Sequence, residues 1–92
     1  MKVNFYATFR PRVGGKTVEV DFVPDSTLRQ LLRALIARYP ALDAELFDEG
    51  DNLRGHVHVF VNGRDSVYLA DKLETNIKAE DVINIFPPVG GG

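Results

Sequence analysis

Residues 2–10 alternate between apolar and polar positions. Val3, Phe5, Ala7 and Phe9 fall on one side, and Asn4, Tyr6, Thr8 and Arg10 on the other, which is the period of a half-buried strand. Pro11 and Gly14-Gly15 interrupt the pattern, and a double glycine supplies the positive φ angles of a tight hairpin turn. Alternation resumes over 16–22, with Val18, Val20 and Phe22 opposed to Thr17, Glu19 and Asp21. An opening antiparallel hairpin is therefore expected.

After Pro24 the period lengthens from 2 to 3.6. Leu28, Leu31, Leu32, Leu35, Ile36 and Tyr39 share one helical face, with Arg29, Arg33 and Arg38 on the other. Thr27 and Gln30 have the spacing of a capping box. Pro40 stops the helix near Tyr39, because a residue before proline is displaced from helical geometry. Ala41–Phe47 predicts a short second helical turn, and 48–52 a polar loop. A third strand is expected over 56–62, with Val57, Val59 and Val61 facing inward and His56, His58, Phe60 and Asn62 outward. Asn62-Gly63 signals a hairpin into a short strand at Ser66–Leu69. A polar connection over 71–81 contains Leu73 and Ile77. A last strand spans 82–86, with Ile83 and Ile85 on one face and Val82, Asn84 and Phe86 on the other.

One helix covering one face of a mixed four- to five-stranded sheet is the compact solution for this order. A right-handed crossover brings the last strand beside the first and parallel to it. That is the α+β arrangement of ubiquitin, the β-grasp, assigned here to residues 1–86, with 87–92 as an extended tail.

Composition narrows the function. The chain has 92 residues, a net charge of −2 and no cysteine. This is one domain's length. The charge balance argues against nucleic acid as the main partner, since phosphate binding requires a basic surface. Without cysteine the chain has no disulfide framework, thiolate-held cluster or cysteine nucleophile. No segment approaches the roughly 20 apolar residues that span a bilayer, and no signal-peptide run opens the chain, so no membrane role and a cytoplasmic location are expected.

The final residues are Phe86-Pro87-Pro88-Val89-Gly90-Gly91-Gly92. Prolines lack the ladder donor and favour extended geometry, and the glycines carry no side chain. The tail reads as a stiff stem with a bare tip whose reach past Phe86 is roughly 20 Å. Such a tip threads a channel too narrow for other residues and delivers the carboxylate of Gly92 to a catalytic centre in another protein.

The chain resembles the ubiquitin-like sulfur-carrier family that includes the molybdopterin synthase small subunit and the thiamine-pathway carrier. The resemblance runs through Ser26-Thr27-Leu28-Arg29-Gln30-Leu31-Leu32, Tyr39-Pro40, Val61-Asn62-Gly63-Arg64 and Asp81–Val89 to Gly91-Gly92. Phe86-Pro87-Pro88-Val89 is nearest the molybdopterin branch, although Gly90 stands where that branch usually has alanine. The resemblance implies that a ubiquitin-activating-like enzyme adenylates Gly92 with ATP and that sulfur from a persulfide donor protein displaces AMP to leave a thiocarboxylate. The carrier itself then has no catalytic site, metal or cofactor. Its further implied partner is the large catalytic subunit of molybdopterin synthase. The alternatives are a ubiquitin-like protein modifier or tRNA-thiolation carrier using the same terminus, and a β-grasp adaptor with an inert tail.

Alternation also supplies a partner face. Tyr6, Phe60 and Phe86 all point away from the helix-covered side, and neighbouring strands gather them beside the tail's root as candidate protein-binding anchors. Other polar groups carry less. His56 and His58 lack a third metal ligand. Arg10, Arg12 and Arg64 are candidates for an acidic partner but read as solvated, and Arg29, Arg33 and Arg38 as the outer helix face. Asp48, Glu49 and Asp51 do not have EF-hand spacing, and no Gly-Lys-Ser/Thr follows Gly14-Gly15. Lys2, Lys16, Lys72 and Lys78 are candidate conjugation acceptors.

Overall fold

The computed structural model describes residues 1–87. Strand β1 (Lys2–Phe5) is followed by a 3-10 turn (Ala7–Phe9), helix α1 (Arg10–Val13) and β2 (Thr17–Glu19). Next come α2 (Leu28–Arg38), α3 (Leu42–Leu46), β3 (His58–Val61) and β4 (Arg64–Asp65). Two 3-10 turns (Ser66–Tyr68 and Lys72–Glu74) lead to β5 (Ile83–Phe86). The strands form one sheet in the order β2-β1-β5-β3-β4. Strand β5 lies parallel to β1, with Phe5 opposite Ile85, and antiparallel to β3, with Phe60 opposite Asn84. The last strand is thus the centre of the sheet, as the β-grasp order requires.

Helix α2 covers one face. Leu28, Leu31, Leu32 and Leu35 are buried in one cluster with Val3, Phe5, Val59, Ile83 and Ile85. Its capping box is complete: Thr27 accepts from the Gln30 amide, and the Gln30 side chain accepts from the Thr27 amide. The helix start is tied to the 71–81 connection, where Leu28 N donates to Thr75 O and Ile77 N to Ser26 O. Leu73 and Ile77 are buried from that connection, so its polar surface hangs on two apolar pegs.

Several expected strands are shorter, β2 covering only Thr17–Glu19 of the expected 16–22, and one is absent. The alternation of residues 2–10 ends at Phe5, because Ala7 takes a positive φ of 51° and the chain coils into the 3-10 turn and α1. Phe9 still reaches the core, and Ala7 is exposed. The glycine pair is not a two-residue hairpin turn. Only Gly14 is left-handed (φ 81°), where it ends α1 with its amide donating to Arg10 O. The strand expected at Ser66–Leu69 is a 3-10 turn, because Asp65 caps it through a 3.1 Å bond from Val67 N. Asn62-Gly63 does turn the β3–β4 hairpin, with φ values of 51° and 85°, the sign pair of a type I′ turn.

Arg29 and Arg33 lie on the outer side of α2 as expected, but they are not simply solvated. Arg33 stands over the buried Phe47 ring, its guanidinium carbon 4.4 Å from the centroid. It also pairs with Asp51, while Arg29 bonds Glu74 at 2.8 Å. Two acids of the loop are therefore spent internally: Asp48 accepts from the amides of Gly50 and Asn52, and Asp51 serves the arginines.

Candidate docking face and tail root

The sheet face opposite α2 divides into two halves. Toward the β5 N-terminus it is polar. Thr17 Oγ1 donates to Asn4 Oδ1, Asn4 Nδ2 donates to Asn84 Oδ1, and Tyr6 OH donates to the same Asn84 oxygen at 3.0 Å. Toward the end of β5 it is aromatic. The Tyr6 ring stacks on Phe86 with centroids 4.2 Å apart and planes 13° from parallel. Phe60 meets Phe86 edge-on at 5.3 Å. All three rings are half-buried, so each keeps a face or edge toward solvent. The expected gathering of Tyr6, Phe60 and Phe86 occurs because β5 lies between β1 and β3.

Sequence patterning did not mark the polar groups around this platform as a set. Arg10 Nε donates to Phe5 O at 2.9 Å, and its guanidinium carbon lies 5.3 Å from the Tyr6 centroid. His58, expected on this face as an exposed polar residue, bonds Asp65 through Nδ1 at 2.7 Å. The pair was detectable in principle: the Asn62-Gly63 turn sets Asp65 opposite Phe60, hence on the same face as His58. His56 lies before β3 and is exposed. Among the described residues no group of three or more histidine, cysteine, aspartate or glutamate residues is arranged to hold a metal.

Pro87, the first residue of the tail, lies at this platform. Pro87 is buried and lines a shallow pocket with His58, Phe60, Asp65 and Phe86. The stem therefore begins against the aromatic rings. The remaining tail residues named from sequence, Pro88, Val89, Gly90, Gly91 and Gly92, lie outside the described residues.

The ThiS family model matches residues 3–92 of this chain. The chain belongs to the ThiS family. It is one of the ubiquitin-like sulfur carriers, as its resemblance implied, and protein modifiers are among its relatives. It is 38% identical over its full length to small archaeal modifier protein 3 of Haloferax volcanii, covering 98% of that protein. The crystal structure of small archaeal modifier protein 1 from the same organism superimposes with a TM-score of 0.84 at 33% identity, covering 99% of this chain and 97% of that one. A chain in the crystal structure of the BexX/CysO complex of Amycolatopsis orientalis matches with a TM-score of 0.82 at 28% identity, covering 99% and 98%. The β-grasp is thus shared with modifiers and with a member of a two-protein complex. Among the described residues no helix is long and apolar enough to cross a membrane.

Proposed function

We propose that the protein is a ubiquitin-like modifier and sulfur carrier that works through the carboxylate of Gly92. The full-length match to small archaeal modifier protein 3 carries this reading, and it favours the modifier over the molybdopterin role suggested by Phe86-Pro87-Pro88-Val89. A free carboxylate is a poor acyl donor, so an ATP-using partner has to activate it. The terminal oxygen attacks the α-phosphorus of ATP, pyrophosphate leaves, and the mixed anhydride with AMP gains a good leaving group. A lysine amine attacking that acyl carbon, directly or through a thioester, forms an isopeptide bond. Persulfide sulfur attacking it instead expels AMP and gives an acyl disulfide; a thiol then attacks the donor-side sulfur, forming a disulfide with the donor and releasing the thiocarboxylate. The chain supplies the acyl group and the docking surface, and the partner supplies the catalytic residues.

In this reading the platform of Tyr6, Phe60 and Phe86 is the surface on which the activating enzyme seats the domain. Pro87 and Pro88 direct the tail off that surface, and Val89, Gly90, Gly91 and Gly92 enter the enzyme's channel. The division of labour suits a carrier: affinity resides on the folded face, and chemistry at a terminus without side chains. A location in the cytoplasm, where ATP and thiol donors are present, belongs to the same proposal.

Affinity purification of the tagged protein from its host, followed by peptide mass spectrometry, tests the modifier reading. Gly92 joined to lysines of several proteins supports it. A terminus found only as carboxylate or thiocarboxylate, in complex with a pterin-converting subunit, replaces it with the molybdopterin synthase small subunit.

A further inference from the structure

The aromatic platform gives area but little direction, because stacked rings tolerate sliding. One polar group beside the tail root is held in a fixed state. Asp65 uses both carboxylate oxygens: Oδ1 accepts from Val67 N at 3.1 Å, and Oδ2 meets His58 Nδ1 at 2.7 Å. The Asp65 side chain is only 11% exposed, whereas that of His58 is 49% exposed. A carboxylate only accepts, so the short contact places the imidazole proton on Nδ1. In the neutral ring Nε2 then carries the lone pair. The imidazole also lies beside Phe60, at a centroid distance of 6.5 Å, in the pocket shared with Phe86 and Pro87.

We infer that His58, its tautomer set by Asp65, is the polar recognition group of the docking face, and that Nε2 accepts a hydrogen bond from an N–H or O–H donor on the activating enzyme. This rests on the proposal that the aromatic face is where that enzyme docks. The geometry fits an acceptor at a rim. It stands at the edge of an apolar platform, next to the point where the tail departs, so a single directional bond there sets the rotation of the domain and the aim of the tail. Apolar burial around the bond raises its value and also the cost of a mismatched partner.

Protonation reverses the group's character. Imidazolium donates from both nitrogens and offers no acceptor at Nε2, so only the neutral ring makes the proposed bond. Asp65 is the charged group that faces His58 in this pocket; the other lining residues are Phe60, Phe86 and Pro87. Arg10 lies on the far strand, against Tyr6.

The test measures binding of the full-length protein to the purified cognate adenylating enzyme at neutral pH. His58→Asn keeps a donor for Asp65 but removes the acceptor at the Nε2 position, and is expected to weaken binding by about 3- to 10-fold, the range of one hydrogen bond. His58→Gln places an amide oxygen near that position and restores part of the loss. Asp65→Asn keeps the oxygen that caps Val67 while its amide donates to Nδ1. It should move the imidazole proton to Nε2, visible in the nitrogen-15 spectrum of the ring, and weaken binding as His58→Asn does. Phe60→Ser serves as the control for the docking face. Loss of binding by Phe60→Ser with parental affinity of His58→Asn overturns the inference and leaves the docking face standing. Parental affinity of Phe60→Ser overturns both. A parent protein whose imidazole carries its proton on Nε2 also overturns the inference, whatever the affinities, and the two His58 variants decide the matter if Asp65→Asn does not fold.

Discussion

Tyr6 stacks on Phe86 at 4.2 Å with the planes 13° from parallel, and its hydroxyl donates to Asn84, two residues earlier on the same strand. Tyr6 follows β1, whereas Asn84 and Phe86 belong to β5. One side chain therefore joins the polar and aromatic halves of the open face and braces the strand that carries the tail. Tyr6→Ala is expected to weaken docking to the adenylating enzyme by at least about 10-fold, in the range of interface anchors. Tyr6→Phe keeps the ring and loses only the hydroxyl bond, for an effect of about 3- to 10-fold or less. Titration calorimetry of the two variants separates ring from hydroxyl.

The second aromatic prediction concerns the core. Phe9 is fully buried although it lies in a 3-10 turn. Phe9→Ala should cost about 3–5 kcal/mol of stability, read by chemical denaturation. Phe60→Ser, at a half-buried surface position, should cost much less. A similar loss for both would show Phe60 to be a core residue.

Removal of the helix cap gives a smaller, local effect. Thr27 accepts the Gln30 amide and completes the capping box, so Thr27→Ala should lower stability by about 0.5–2 kcal/mol. Gly14 ends α1 with φ 81°. Gly14→Ala should cost about 1 kcal/mol or more, because an L side chain strains that conformation. Thermal unfolding of the two variants checks both figures.

Arg33 over Phe47 yields a prediction about salt. The guanidinium gains from the ring and from Asp51 on a partly exposed surface. Arg33→Ala should therefore cost about 1 kcal/mol at low ionic strength. Raising salt should shrink the charge-pair share and leave the ring contact, which denaturation at two salt concentrations resolves.

The helix, its cap, the Asn62-Gly63 hairpin and the central place of the last strand were legible because each rests on local chemistry or a strong period. Leu28 to Leu35 show the helical repeat, Thr27 and Gln30 the cap, and Ile83 and Ile85 the buried strand. The segment after Phe5 was not legible. Alternation through Phe9 looks the same whether the chain stays extended or coils, and Phe9 is buried either way. The decision lies in Ala7's left-handed backbone and in Pro11 near the start of α1. Ser66–Leu69 misled for a related reason: an aspartate cap outweighed four residues of weak alternation. The aromatic cluster could be read from strand parity, but the Asp65–His58 pair required the hairpin register, and Arg10's position over Tyr6 required the coil after β1.

The central claim is activation at Gly92, and intact-mass spectrometry measures it most directly. The purified protein is incubated with its cognate adenylating enzyme, ATP, a persulfide donor and a thiol reductant. Replacement of one terminal oxygen by sulfur, dependent on ATP and abolished when a residue resistant to trimming is added after Gly92, is the predicted result. An unchanged mass, with an enzyme that activates another carrier in the same assay, would contradict the account.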